Sequence, residues 1–161
     1  VIGGGDWTVN RLFPDLVRAF FAGKPIELRY PNSTRPFQHV IEPLSGYLLL
    51  AEQLAGGEDC WQTAFNFGPE PKDVRSVQSI VEAVSVHWPG KWVKASEKSH
   101  NHETRFLALE IERSRRQLGW YPRWDIEKSL LETINWYRDH SEGFDPIQIT
   151  HAQLRAFEGH V

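Results

Sequence analysis

Apolar residues recur along this chain at two spacings, and the alternation between them predicts a mixed α and β protein. Phe13, Leu16, Val17, Phe20 and Phe21 fall at helical spacing and predict a first helix from about Pro14 to Ala22, stopped by Gly23. Ile26 to Tyr30 alternates Ile-Glu-Leu-Arg-Tyr, as a half-buried strand does. Pro31-Asn32-Ser33 supplies a turn, and Phe37 to Ile41 reads as a second extended piece. Pro43 suits the first turn of a helix whose apolar stripe is Leu44, Tyr47, Leu48, Ala51 and Leu54. Thr63 to Phe67 reads as a strand cut by Gly68-Pro69. Ser76 is placed to cap a helix carrying Val77, Ile80, Val81 and Val84. Trp92-Val93 falls in another strand, and a short helix over Glu112 to Leu118 ends at Gly119. Asp125 caps the longest helix, with Ile126, Leu130, Ile134 and Tyr137 on one face. Thr150-His151-Ala152-Gln153 has the form of a capping box for a last short helix.

The chain opens on Val1-Ile2-Gly3-Gly4-Gly5-Asp6-Trp7, a strand end running into a glycine loop, with no methionine before it or anywhere else. In α/β folds such a junction is where ligands sit, and the reading is of a chain that begins inside a fold. The 161 residues correspond to one domain or one lobe, and 40% hydrophobic content with seven Trp is enough for a core. A net charge of −3 argues against a nucleic-acid protein, and no apolar run approaches a membrane span. The single Cys60 forbids an internal disulfide and suits a reducing compartment. Trp88, Trp120, Trp124 and Trp136 read as packing residues rather than a sugar-binding face.

Several segments could carry chemistry. The triple glycine could bind phosphate through its backbone or be a plain turn, and it lacks the spacing of a P-loop or dinucleotide fingerprint. In Arg35-Pro36-Phe37-Gln38-His39-Val40-Ile41-Glu42-Pro43 an arginine enters a short strand before a helix. Its guanidinium could grip a phosphate or carboxylate, or pair with Glu42 or Asp15. Asn66, between Phe65 and Phe67, either points into a cleft or is a buried structural amide. His100-Asn101-His102-Glu103 lacks a third ligand at zinc spacing, so no metal is expected. No nucleophile, base and orienting group are spaced for covalent catalysis.

These segments together resemble one family. Gly3-Gly4-Gly5-Asp6-Trp7, Arg11-Leu12-Phe13-Pro14-Asp15, Arg35-Pro36-Phe37-Gln38-His39-Val40 and Glu42-Pro43-Leu44-Ser45-Gly46-Tyr47-Leu48 look like the CDP-glucose 4,6-dehydratases, which are extended short-chain dehydrogenases/reductases. Phe65-Asn66-Phe67-Gly68-Pro69, His102-Glu103, Leu118-Gly119-Trp120-Tyr121-Pro122 and Thr133-Ile134-Asn135-Trp136-Tyr137 continue the likeness to about His140. The resemblance implies an α/β chain over residues 1–161: a C-terminal substrate-binding lobe plus the last Rossmann elements, without the N-terminal half that binds most of the NAD.

The family's reaction oxidises C4 of the glucose, eliminates water across C5 and C6 and returns the hydride to C6, giving a cytoplasmic precursor of deoxysugars for polysaccharide. Its Tyr-x-x-x-Lys pair has no counterpart here, since Tyr30, Tyr47, Tyr121 and Tyr137 are followed four residues on by Thr34, Ala51, Asp125 and Ser141. No catalytic residue is therefore expected, and the chain alone is expected to be inactive. The resemblance implies Arg35 at the diphosphate and Asn66 at the nucleotide. It puts Arg11 and Leu12 along the nucleotide pocket and Arg29 near base or ribose. His102, Glu103 and Arg105 would close the pocket from a later loop, and Val1 and Ile2 would lie beside the nicotinamide through backbone atoms, with the glycines letting the backbone pass close to it. The implied partner is a nucleotide sugar, with homo-oligomerisation of the full-length enzyme. A non-catalytic nucleotide-sugar-binding module and a related epimerase or reductase remain as alternatives.

Overall fold

The computed structural model describes residues 1–57, 59–96 and 104–159. Its helices are α1 (Leu12–Phe21), α2 (Ile41–Ala55), α3 (Val77–His87), α4 (Glu112–Leu118), α5 (Ile126–Ser141) and α6 (Pro146–Glu158). The strands are short: β1 (Ile26–Leu28), β2 (Thr34–Arg35), β3 (Arg75–Ser76) and β4 (Trp92–Lys94). β1 and β4 pair in parallel with Ile26 opposite Trp92, and β2 and β3 pair antiparallel. Ile2 bridges His39 in parallel, so the opening residues do lie in extended backbone beside the segment that leads into α2. No helix among the described residues is long and apolar enough to cross a membrane.

The main core forms where the amphipathic faces of α1, α3 and α5 meet β1. Leu16, Val17, Ile80, Val81, Val84, Ile134 and Tyr137 are its most enclosed members. Two predicted caps hold as read: Ser76 accepts from the Ser79 N–H at 3.1 Å, and Asp125 accepts from the Lys128 N–H at 2.8 Å. Each satisfies one of the N–H groups that a helix start leaves without a partner. Of the tryptophans read as packing, Trp120 and Trp136 are buried, while Trp88 and Trp124 are half-buried against Phe21 and His39.

Three expectations are corrected. The segment 63–67 forms no strand: the Phe67 carbonyl accepts from Gln38 at 2.7 Å and the Asn66 carbonyl accepts from the Ser114 hydroxyl, so side chains take the place of a ladder. Helix α6 begins at Pro146, with Asp145 as its cap at 2.9 Å from the Ile147 N–H. Thr150 lies inside that helix, donating back to the Pro146 carbonyl.

The third correction is the orientation of α2. Its predicted core stripe faces outward: Leu44, Tyr47, Leu48 and Leu54 are exposed, Leu48 to 72%. Inward it turns Ile41, Glu42, Pro43 and Gly46, with Ser45 half-buried beside them. Glu42 is fully buried and accepts from the Arg123 N–H at 3.0 and 3.1 Å and the Trp124 N–H at 2.6 Å. Ser45 accepts from the Trp120 indole at 3.0 Å, and Phe67 packs over Gly46 beside Tyr47. The bonds to Glu42 and Ser45, with the close Gly46–Phe67 approach and the half-buried Leu49 and Leu50, hold this helix in place of the predicted stripe.

Candidate functional site

A cavity of about 790 Å³ opens where the glycine loop, the start of α1, β1 and the segment after β2 converge. Val1, Ile2, Gly3, Gly4 and Asp6 form one wall, Asn10 to Asp15 a second, Ile26 to Tyr30 a third, and Arg35 to Phe37 with Val40, Val77 and Leu107 the remainder. Sequence alternation explains the third wall. Ile26 and Leu28 point into the core, which puts Glu27 on the solvent side of β1; the strand ends at Leu28, short of the predicted Tyr30, and the exposed Arg29 lies in the bend that follows.

The glycine-loop wall is tied down from several sides. The Tyr137 hydroxyl donates to the Asp6 carbonyl at 2.6 Å, and burial pushes the Tyr137 pKa up to about 12. Arg18 donates to the Trp7 carbonyl at 3.0 Å and pairs with Asp15 at 2.5 Å. Asp6 accepts from the Thr8 N–H at 2.9 Å, a bond that lowers its pKa below the usual carboxylate value, and lies 3.7 Å from the Arg11 guanidinium. Beneath the wall His39 is enclosed, and desolvation lowers its pKa to about 4, so the imidazole is neutral near pH 7.

The predicted site residues separate into three groups. Val1, Ile2, Arg11, Leu12, Arg29 and Arg35 all line the cavity. Arg35 is half-buried and donates to the Thr34 carbonyl at 2.8 Å. The two carboxylates weighed as its partners are engaged elsewhere, Glu42 by backbone N–H groups and Asp15 by Arg18. Asn66 and Arg105 are not among the lining residues. The exposed Asn66 amide donates to the Glu110 carbonyl at 3.0 Å, tying the segment before Gly68 to the start of α4. Arg105 offers its backbone carbonyl to the Thr34 N–H at 2.9 Å, with its residue exposed. His102 and Glu103, with the rest of the His100–Glu103 run, lie outside the described residues. Among the described residues no group of three or more His, Cys, Asp or Glu could hold a metal ion.

Sequence reasoning missed Asp6, Tyr30, Phe37 and, above all, Glu27 as lining residues. The alternation Ile26-Glu27-Leu28 carried a signal for Glu27, since it turns that side chain to the face opposite the two buried residues.

The glycine run is packed against the chain's own side chains. A Cβ on Gly4 would sit 2.0 Å from the Trp136 ring and one on Gly3 would sit 2.9 Å from Val40. Gly3 and Gly4 are therefore required by the chain's own side chains. The run does not have the spacing of a dinucleotide fingerprint, and Val1, Ile2, Gly3 and Gly4 form one wall of the cavity.

No family model matches the chain. Over 147 residues, 90% of its length, it is 38% identical to the CDP-glucose 4,6-dehydratase of Salmonella typhimurium, of which the match covers 41%. A shorter stretch of 69 residues is 30% identical to a dTDP-glucose 4,6-dehydratase of Streptomyces antibioticus, covering 43% of this chain and 20% of that one. Among solved structures, dTDP-glucose 4,6-dehydratase from Bacillus anthracis in complex with NAD superposes with a TM-score of 0.66 at 19% identity, covering 84% of this chain and 42% of its own. RMD from Pseudomonas aeruginosa with NADPH gives 0.68 at 18%, covering 86% and 45%. The fold is therefore that of part of the extended short-chain dehydrogenases/reductases. The chain spans about two fifths of the length of the Salmonella typhimurium relative.

Proposed function

We propose that this chain, 38% identical over 90% of its length to a CDP-glucose 4,6-dehydratase, is part of such an enzyme, and specifically the part that holds the nucleotide sugar. The observation that carries this reading is the convergence of Arg11, Arg29 and Arg35 on one cavity of about 790 Å³, a size suited to a nucleoside diphosphate sugar. Cationic forks suit a diphosphate because paired N–H donors match its oxygens and are always charged. The 38% identity to a CDP-glucose enzyme supports the choice of substrate.

In this reading Arg35 grips the diphosphate, Arg11 and Leu12 border the nucleotide, and Val1 and Ile2 face the end where NAD supplies hydride chemistry in the whole protein. Asn66 acts instead as a strut between the segment before Gly68 and α4. The residues of this chain bind and orient, and no hydride or proton step is assigned to them.

Calorimetric titration of the chain with CDP-glucose tests the reading. Saturable binding is expected, and Arg35→Ala is expected to weaken it by about 1.5–3 kcal/mol, the range for a hydrogen bond to a charged group. Equal affinity in the variant would remove Arg35 from the site.

A further inference from the structure

Resting on the nucleotide-sugar reading above, we infer that Glu27, with Arg29 beside it, reads the base of the bound nucleotide and selects cytosine. Three carboxylates line the cavity. Asp6 is tied to the Thr8 N–H and lies 3.7 Å from Arg11, and Asp15 is paired with Arg18. Glu27 alone of the three carries no ion pair and no side-chain hydrogen bond among the described residues.

Its position is nonetheless well defined. β1 is paired to β4 with Glu27 opposite Val93, and the buried Ile26 and Leu28 on either side anchor the strand. The Glu27 side chain therefore points to the solvent side of β1, and Arg29, in the bend just past the end of that strand, lines the same cavity.

An unpartnered carboxylate opposes a diphosphate, so its place is at a part of the ligand that donates hydrogen bonds. Cytosine presents such a donor in its N4 amino group, and Glu is a natural acceptor for it. Along the same edge cytosine then offers N3 and O2 as acceptors, which a guanidinium can meet. Glu27 followed two residues on by Arg29 presents an acceptor and then donors, the complement of that edge. Uracil and thymine place the O4 acceptor where cytosine has its amino group, which sets a lone pair against the Glu27 carboxylate. The discrimination comes as much from that repulsion as from the bond to N4.

The test is titration of the chain with CDP, UDP and GDP, repeated on Glu27→Gln and Glu27→Ala. Glu27 is solvent-exposed, so neither change disturbs the core. The wild-type chain is expected to bind CDP about tenfold or more tightly than UDP, the scale of one well-placed base contact, and more tightly than GDP. Both variants are expected to bring CDP and UDP within about threefold of each other, with Gln improving UDP because its amide can donate to O4. A CDP preference retained in both variants, an equal loss for CDP and UDP as ribose contact would give, or a wild-type preference for GDP would overturn the base-reading role alone. Binding of none of the three nucleotides would overturn the nucleotide-sugar reading and this inference with it.

Discussion

Glu42→Ala is expected to lower the unfolding free energy by about 3–5 kcal/mol. The carboxylate is fully buried and accepts from two backbone N–H groups, those of Arg123 and Trp124. Truncation leaves both donors without a partner, each costing about 1–3 kcal/mol, and opens a cavity beneath α2. Glu42→Gln keeps one acceptor oxygen and is expected to cost less, about 1–2 kcal/mol. Urea denaturation at pH 7 checks both, with the midpoint falling and the slope unchanged.

The same residue has a pH signature. Desolvation raises the Glu42 pKa, against the opposing N–H bonds from Trp124 and Arg123, so the native chain holds this proton more tightly than the unfolded one. Its contribution is full below the ordinary carboxylate range and is lost as pH climbs through the raised value. His39 has the opposite slope between its native pKa of about 4 and its ordinary value, and it is present in both proteins. The difference between wild type and Glu42→Gln therefore isolates Glu42. That difference should shrink as pH rises from acid to neutral, and a difference that grows would contradict this account of the buried carboxylate.

Gly4→Ala is the second large effect, expected to cost about 3 kcal/mol by overpacking. The added methyl would sit 2.0 Å from Trp136, which has nowhere to retreat: it is buried, donates to Thr150 at 3.0 Å and lies edge-on to Tyr137. The strain falls on the wall that also carries Val1, Ile2 and Asp6, so nucleotide affinity should fall with stability. Adding Trp136→Leu relieves the contact, and the double variant should lose less than the sum of the two single losses. Additive losses would show that the methyl and the indole do not meet.

Much of the fold was legible because its main core is built from elements whose apolar residues face inward. α1, α3 and α5 bury most of the residues that their periodicity singles out, though Phe21 is exposed and Val77 half-buried, and Ser76 and Asp125 cap as their chemistry requires. α2 was not legible. Periodicity assigns Leu44, Tyr47, Leu48 and Leu54 to the core, yet its inward anchors include Glu42 and Ser45, saturated by partners about 75–82 residues away in sequence. Hydropathy has no access to such distant partners. The same limit hid the fate of residues 63–67, whose carbonyls are taken by Gln38 and Ser114, and the cap of α6, where Asp145 and not Thr150 starts the helix.

The candidate site was half legible. Family-like motifs point to Arg11, Leu12, Arg29 and Arg35, and the fold brings these to one cavity with Val1 and Ile2. Asn66 sits in an equally family-like motif, but the Glu110 carbonyl takes its amide outside the cavity. Glu27 escaped because a lone carboxylate in a short strand reads as an ordinary solvated residue until its neighbours are known. Only the pairing of Asp6 and Asp15 elsewhere leaves it as the acceptor without a partner.

The central claim is that this chain holds CDP-glucose for dehydration. Its most direct test replaces the matched 147 residues of the 38%-identical CDP-glucose 4,6-dehydratase with this chain and follows conversion of CDP-glucose to the 4-keto-6-deoxy sugar. Conversion of CDP-glucose in preference to UDP-glucose and dTDP-glucose, abolished or sharply reduced by Arg35→Ala, is the predicted result. A folded, NAD-loaded chimera that leaves CDP-glucose unchanged, or that prefers another nucleotide sugar, would contradict it.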